Sequence, residues 1–142
     1  MAHELCFQIP NQLSELTGLS GAITAHLQEK GGDDAAVYAA SLALEELFTN
    51  IIKYGYDDQE AHLITVSLKV GPEVFRLEIS DDGHPFNPFD QPGPDLSVPL
   101  EERQIGGLGI HFIRNLLDRY EYERRDGWNV VAVEKRLRNE GL

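Results

Sequence analysis

The feature that most constrains the fold is a long apolar segment between Asp33-Asp34 and Gly55. Its apolar side chains recur every three or four positions, at Ala36, Val37, Ala40, Leu44, Leu47, Phe48 and Ile51. This spacing predicts an α-helix, which an aspartate can cap at its start and a glycine can end. Because it is the most apolar helical pattern in the chain, we expect it to be the most buried helix of the fold.

One strand and one helix are predicted before this segment. Residues 4–9 alternate apolar and polar side chains up to Pro10, which is the pattern of a half-buried strand. From residue 11 the period becomes helical, with Asn11 available as the N-terminal cap and Gly31-Gly32 as the end. The chain is therefore predicted to begin with the order β-α-α.

Two hairpins are predicted after the long helix. Their turns are Gly71-Pro72-Glu73 and Asp126-Gly127, and the strand patterns are residues 63–70, 74–80, 121–125 and 128–137. With a third helix between the hairpins, the order becomes β-α-α-β-β-loop-α-β-β. We therefore predict an α+β fold, a two-layer sandwich in which three helices cover one face of a mixed, mostly antiparallel sheet.

A proline-rich segment separates the first hairpin from the third helix. Residues 81–102 hold five of the seven prolines and show no periodic pattern, and helical spacing resumes over residues 106–120. Long loops inside a compact domain are uncommon and often act as lids over a binding site. We expect such a lid at about residues 86–106.

Length and charge limit the class of protein. The 142 residues fit one domain, so we treat 1–142 as a single unit. Asp and Glu number 24 against 12 Lys and Arg, which argues against a nucleic-acid partner because phosphate binding requires clustered basic residues. The only cysteine, Cys6, cannot form an internal disulfide and is expected to be a buried structural thiol.

The sequence also predicts the location of the protein. No apolar run approaches the roughly 18 residues of a membrane span, and the first residues lack the pattern of a secretion signal. We therefore expect a cytoplasmic protein with no membrane partner.

The first candidate site residues are Glu46 and Asn50, which lie four positions apart on the long helix and so share a face. An amide oxygen can ligate Mg²⁺, and a carboxylate can activate a hydroxyl or a water. The alternative is an ordinary solvated helix face. Their setting in a very apolar helix favours a site, because stray polar groups there carry a desolvation cost.

The second candidate segment is Asp81-Asp82-Gly83-His84-Pro85, which follows a predicted strand. A carboxylate at a strand end can accept a hydrogen bond from an exocyclic amine such as that of adenine, and Gly83 permits a close approach of the backbone to a flat ring. The alternative is a plain Asp-Gly turn. Four of the five histidines lack a partner at ligand spacing, and His84 is the exception only because it lies inside this segment.

The third candidate segment is Gly106-Gly107-Leu108-Gly109 at the start of the third helix. Backbone N–H groups at a helix N-terminus can bind an anion, and the alternative is a hinge. No Gly-Lys-Ser/Thr follows, so it is not a Walker loop, and Phe112 stands where a dinucleotide fingerprint needs a third glycine. Trp128 is predicted to be a core residue, and Arg124-Arg125 a solvated turn flank.

Taken in this order, the three segments resemble the Bergerat ATPase superfamily, and within it the anti-sigma-factor serine kinases of bacterial partner switching. Residues 44–56, LEELFTNIIKYGY, look like the N box of that family. Residues 81–88, DDGHPFNP, look like its first glycine box, and residues 106–110 like its second. The ending, with GWNVV at 127–131 and Glu134-Lys135, is similar to the last hairpin of the family.

The resemblance implies a role for each box. Glu46 would be the general base, Asn50 would hold Mg²⁺, Asp81 would contact adenine and Gly83 would line the base pocket. Contacts to ATP would come from Asn50, Lys53, Asp81, Gly83, Pro85, Phe86, Arg103, Gly106, Gly107, Leu108 and Gly109. The implied substrate is an anti-sigma-factor antagonist phosphorylated on serine, the other partner is a sigma factor, and the kinase would be a homodimer.

One departure from the family leaves two functions open. Relatives often carry an arginine just before the second glycine box, where this chain has Ile105 and Gly106. Arg103 could replace it from the lid, and without that charge phosphoryl transfer should be slow. The first hypothesis is therefore a serine kinase, and the second is a non-catalytic module that binds a partner in a nucleotide-dependent way. The catalytic half of a histidine kinase ranks below both.

Overall fold

The computed structural model describes residues 3–90 and 107–138. In these ranges the elements follow the predicted order: β1 His3–Pro10, α1 Leu16–Glu29, α2 Asp34–Tyr54, β2 Leu63–Val70, β3 Val74–Asp81, α3 Gly107–Leu116, β4 Arg119–Arg125 and β5 Trp128–Arg136. Two short 3-10 turns, Leu13–Glu15 and Pro88–Asp90, precede α1 and follow β3. Most of the predicted lid falls outside the described residues.

The five strands form one sheet in the order β1-β2-β3-β5-β4, and every described pairing is antiparallel. The predicted mixed sheet is therefore wrong in that respect. The reason is topological: β1 and β2 are separated by two helices, and β3 and β5 by α3 and β4. With two intervening elements the chain reverses direction three times, and this odd number of reversals returns it antiparallel to its neighbour. The Asp126-Gly127 turn is confirmed, with left-handed φ angles of 52° and 85°.

The core lies between the sheet and the helices, as predicted for a two-layer α+β fold. Strands β2 and β3 alternate buried and outward-facing residues, and their inward side chains pack with the buried face of α2. Helix α2 is long and apolar enough to cross a membrane by length and composition, which our reading of the sequence did not anticipate. Its buried residues include four alanines, which raise its hydropathy and let it lie close to its neighbours.

The two predicted helix caps have different outcomes. Asp33 caps α2 as expected, with its carboxylate accepting a hydrogen bond from the Ala36 N–H at 2.9 Å. Asn11 does not cap α1, because its side-chain oxygen instead accepts the His62 N–H at 3.0 Å. That bond joins the segment after β1 to the residue before β2.

Two residues expected in the core lie on the open face of the sheet. Cys6 is exposed, because side chains alternate along β1 and Leu5 and Phe7 pack against the core. Trp128 is 39% exposed, whereas its neighbour Asn129 is only 3% exposed. The two-residue period of β5 thus turns an asparagine inward and the tryptophan outward.

Candidate functional site

A pocket lies between the C-terminal half of α2, the ends of β3 and β5, and the segment that follows β3. Its polar groups come from Asn50, Asp81, His84 and Asn129. The other lining residues are apolar or glycine: Leu47, Ile51, Gly55, Ile79, Phe86, Pro88 and Val131. A mainly apolar pocket with a few convergent polar groups is the usual form of a small-molecule site.

Helix α2 contributes Glu46, Asn50 and Lys53 to this end of the molecule. Asn50 is only 7% exposed and lines the pocket. Within residues 3–90 and 107–138, neither the side-chain amide of Asn50 nor the carboxylate of Glu46 makes a hydrogen bond. Lys53 is exposed in the last turn of the helix. The side-chain amide of Asn50 is therefore available to a ligand in the pocket.

The environment of Glu46 favours its protonated form. Burial raises the pKa of the Glu46 carboxyl above its ordinary value, the neighbouring charge of Glu45 raises it further, and Lys53 opposes both. A carboxyl group whose pKa is raised toward neutral pH is better suited to accept a proton. Because structural carboxylates also shift, this observation supports a base only together with the geometry.

Asp81 ends β3 with its side chain buried in the pocket wall, 3% exposed. Its Oδ2 accepts hydrogen bonds from the Gly83 N–H at 2.9 Å and from the Asn129 side-chain amide at 3.2 Å. Burial raises the pKa of Asp81, although both hydrogen bonds act to lower it. Among the described residues Oδ1 accepts no hydrogen bond, so one oxygen of a fixed carboxylate remains available to a ligand.

Gly83 was predicted to line the base pocket, but it is not among the residues that line the pocket described above, and its contacts indicate a structural role. A Cβ at this position would collide with the Gly55 carbonyl oxygen and lie 2.8 Å from Asp81 Oδ2. The next residue, His84, donates its backbone N–H to the same Gly55 oxygen at 2.8 Å. The glycine therefore lets the segment after β3 lie directly on the end of α2. The close approach that the sequence predicted for a flat ring is made here by the Gly55 backbone.

We expect Gly83→Ala to destabilise the protein by about 1–3 kcal/mol, because the new methyl group meets backbone atoms that cannot rotate away. Chemical denaturation measures this loss. Gly71→Ala is the matched control, since its Cβ would lie at an ordinary 3.5 Å from the Val74 oxygen. Equal stability of the two variants would contradict the contact.

Asn129 is the site residue that our sequence reading missed. Its side-chain NH₂ donates to Asp81 Oδ2 and, at 2.7 Å, to the His84 carbonyl. Its side-chain oxygen accepts the Phe86 N–H at 3.3 Å and the Tyr122 hydroxyl. The signal was present in the sequence, because Asn129 occupies an inward position of β5 beside Val131 and Val133. One asparagine thus joins Asp81 to the loop that follows it.

We expect Asn129→Ala to lower the free energy of unfolding by about 2–4 kcal/mol, because it leaves several buried polar groups without a partner. Asn115→Ala is the control: Asn115 is an exposed α3 residue whose side chain donates to the His111 carbonyl. Thermal unfolding of both variants measures the difference. A loss no larger than that of Asn115→Ala would show that the network does not hold the segment.

The remaining predicted residues of the first glycine box differ in position. Phe86 lines the pocket and stacks on Tyr54, with ring centroids 5.7 Å apart. Pro85 is exposed and lines a separate polar hollow. Arg124 was expected to be a solvated turn flank, but it donates to the Gly83 carbonyl at 2.8 Å. Of these two predicted ATP contacts, Phe86 therefore lines the pocket and Pro85 does not.

The second glycine box is described only in part. Arg103 and Gly106 lie outside the described residues, and Gly107 and Leu108 open α3 as predicted. Gly109 packs directly against Glu46: a Cβ built on it would overlap the Glu46 carboxylate. The fold therefore brings the second glycine box to the base predicted on α2.

A comparison with known families agrees with this geometry. The family described as "Histidine kinase-like ATPase domain" matches residues 9–135. The chain belongs to this family. The match includes β1 residues, all three helices and most of β5, so it covers every element that lines the pocket.

Individual relatives in the family are named as protein kinases. The serine/threonine-protein kinase BtrW of Bordetella bronchiseptica is 28% identical over 96 residues, which cover 68% of each chain. The serine-protein kinase RsbW of Listeria monocytogenes is 29% identical over 103 residues, covering 70% of this chain and 66% of that protein. The chain thus spans about two thirds of the length of these curated relatives.

A solved structure shows the same fold. The crystal structure of the RsbU and RsbW domains of Rv1364c from Mycobacterium tuberculosis aligns with a TM-score of 0.69 and 15% identity. The alignment covers 95% of this chain and 32% of that one. At this identity the likeness concerns the fold, and it confirms the α+β architecture.

Proposed function

We propose that this protein is an ATP-dependent protein serine kinase that acts as an anti-sigma factor and phosphorylates an anti-sigma-factor antagonist. One observation carries the proposal: Asn50 and Asp81 line one pocket, while Glu46, one helical turn from Asn50, lies against the second glycine box. The kinase names of the relatives support the same class of reaction.

The pocket fits a nucleotide by the character of its wall. Asp81 offers a free carboxylate oxygen to an amine donor, and apolar side chains such as Ile79 and Val131 supply flat contacts for a base. Asn50 offers an amide oxygen of the kind that Mg²⁺ accepts, and Lys53 lies three residues further along α2. We assign adenine to Asp81 and the phosphate-bound cation to Asn50.

The proposed chemistry assigns proton transfer to Glu46. When bound, Mg-ATP supplies the phosphoryl group, with the metal ion neutralising phosphate charge. Glu46 would accept the proton of the substrate serine while the serine oxygen bonds to the γ-phosphorus of ATP and the bond from that phosphorus to the β,γ-bridging oxygen breaks. ADP leaves with that electron pair. The raised pKa of Glu46 brings its basicity closer to the working pH.

The proposed partners follow from the family resemblance. They are an antagonist protein as substrate, a sigma factor as the second partner, and a second copy of the kinase in a homodimer. We place the reaction in the cytoplasm, where ATP is available.

The test is transfer of labelled phosphate from ATP to a panel of antagonist-type proteins from the same genome. We expect phosphoserine on one member of the panel, identified by mass spectrometry. Calorimetry with ATP provides a separate measure of binding. Binding without transfer to any candidate would overturn the kinase proposal.

The second candidate function is a non-catalytic module that captures a partner in a nucleotide-dependent way. Ile105-Gly106, at the position where relatives often carry arginine, favours it, because phosphoryl transfer depends on stabilising charge. Arg103→Ala separates the two functions. Loss of transfer in that variant would assign the missing charge to Arg103, and ATP-dependent partner capture without any transfer would support the module.

A further inference from the structure

The space where a side chain would stand at Gly109 is filled by the carboxylate of Glu46. The three atoms nearest to a Cβ built on Gly109 are Glu46 Cδ, Oε1 and Oε2, and all three would overlap it. At Gly18 and Gly21, in α1, nothing beyond the adjoining residues and the local helix backbone lies within 4 Å of the same position. The close contact at Gly109 is therefore not shared by the two helical glycines of α1.

The backbones on both sides of this contact are held in place. Leu47 and Phe48, which follow Glu46 on α2, are 3% and 0% exposed. Ile110 and Ile113, which follow Gly109 on α3, are 3% and 0% exposed. Because close-packed cores resist backbone shifts, only the Glu46 side chain can yield to a methyl group at position 109.

We propose that Gly109 is a positioning residue for Glu46: by lacking a side chain, it sets the place of the carboxylate that acts as the base. The second glycine box would then position the base for proton transfer, in addition to the contacts with the phosphates of ATP that the family resemblance implies. The consequence for catalysis rests on the proposed function, whereas the contact between Gly109 and Glu46 does not.

A stability cycle tests the contact without any activity measurement. In a helix, Gly→Ala normally stabilises because alanine restricts the unfolded chain. We expect Gly109→Ala to raise the melting temperature less when Glu46 is present than in a Glu46→Ala background, because only the first background holds a carboxylate that the new methyl group must displace. Gly21→Ala is the control and should raise the melting temperature equally in both backgrounds. An equal change in melting temperature for Gly109→Ala in both backgrounds would overturn the proposal.

A kinetic cycle tests the consequence for catalysis. Gly109→Ala should lower kcat at least ten-fold while changing the ATP dissociation constant less than three-fold, because the displaced group is the base. Glu46→Asp shortens the side chain by one methylene and so withdraws the carboxylate from the space beside Gly109. Adding Gly109→Ala to Glu46→Asp should therefore lower kcat less than three-fold. Double-mutant cycles detect such coupling between contacting residues.

Two outcomes separate failure of the proposal from failure of the kinase assignment. Gly109→Ala could instead weaken ATP binding equally in the unmodified protein and in Glu46→Asp, and leave kcat unchanged in both. That result would assign Gly109 to phosphate binding alone and overturn its positioning role. Absence of transfer in the unmodified protein would overturn the kinase, and the melting temperatures would still decide whether Gly109 positions Glu46.

Discussion

Replacing Glu46 with glutamine is expected to reduce phosphoryl transfer about 10²–10⁴-fold, the usual contribution of a positioned general base. Glutamine keeps the length and shape of glutamate, so it fits the space beside Gly109, but its amide cannot accept the serine proton. Because the Glu46 carboxylate makes no hydrogen bond within the described ranges, the substitution leaves the pocket intact. ATP affinity, measured by calorimetry, should stay close to that of the unmodified protein.

Glu45→Gln is the matched control for this prediction. Glu45 is exposed at the preceding position of α2, and its charge is one of the causes that raise the pKa of Glu46. The control should retain transfer and shift the acidic limb of the pH–rate profile to lower pH. Transfer by Glu46→Gln at the rate of the control would remove Glu46 from the role of base.

Asp81→Asn is expected to weaken ATP binding about 10- to 100-fold, the effect of losing a hydrogen bond to a charged acceptor. The carboxylate accepts the Gly83 N–H and the Asn129 amide on one oxygen, and we assign the other to adenine. An asparagine side chain replaces one acceptor with a donor, so either the base or the loop loses its partner. Calorimetric titration with ATP measures the loss.

Asp81→Asn should not lower the stability of the folded protein, although it weakens ATP binding. Burial raises the pKa of Asp81 above its ordinary value of 3.8, so the folded state binds a proton more tightly than the unfolded state. Stability therefore falls as the pH rises from about that ordinary value through the raised pKa, and the cost persists at neutral pH. Asp81→Asn removes the charge and should unfold at no lower temperature than the unmodified protein at neutral pH.

Asp82→Asn controls both measurements, since the adjacent carboxylate is exposed and accepts the Tyr56 hydroxyl at 2.7 Å. An asparagine oxygen can accept that same bond. We expect ATP affinity to change far less than in Asp81→Asn. Unchanged affinity in Asp81→Asn itself would contradict the assignment of adenine to this pocket.

The three boxes show why a site can be located from sequence before its geometry is known. Glu46 and Asn50 share a helix face because of their spacing, and Asp81 ends a strand because the alternating pattern stops there. Both statements depend on local periodicity, which sequence reports well. Asn129 was missed because a single polar residue in an apolar strand has many explanations, and three of its four partners lie more than 40 residues away along the chain.

The sequence by itself determined the order of elements, the Asp33 cap, the Asp126-Gly127 turn and the identity of the three candidate segments, because each depends on neighbouring residues. The tertiary structure decided that the sheet is wholly antiparallel among the described strands, that Cys6 and Trp128 face outward, and that Gly109 meets Glu46. These features depend on how distant segments pack. At Gly109 the space that a side chain would need is already filled by the Glu46 carboxylate.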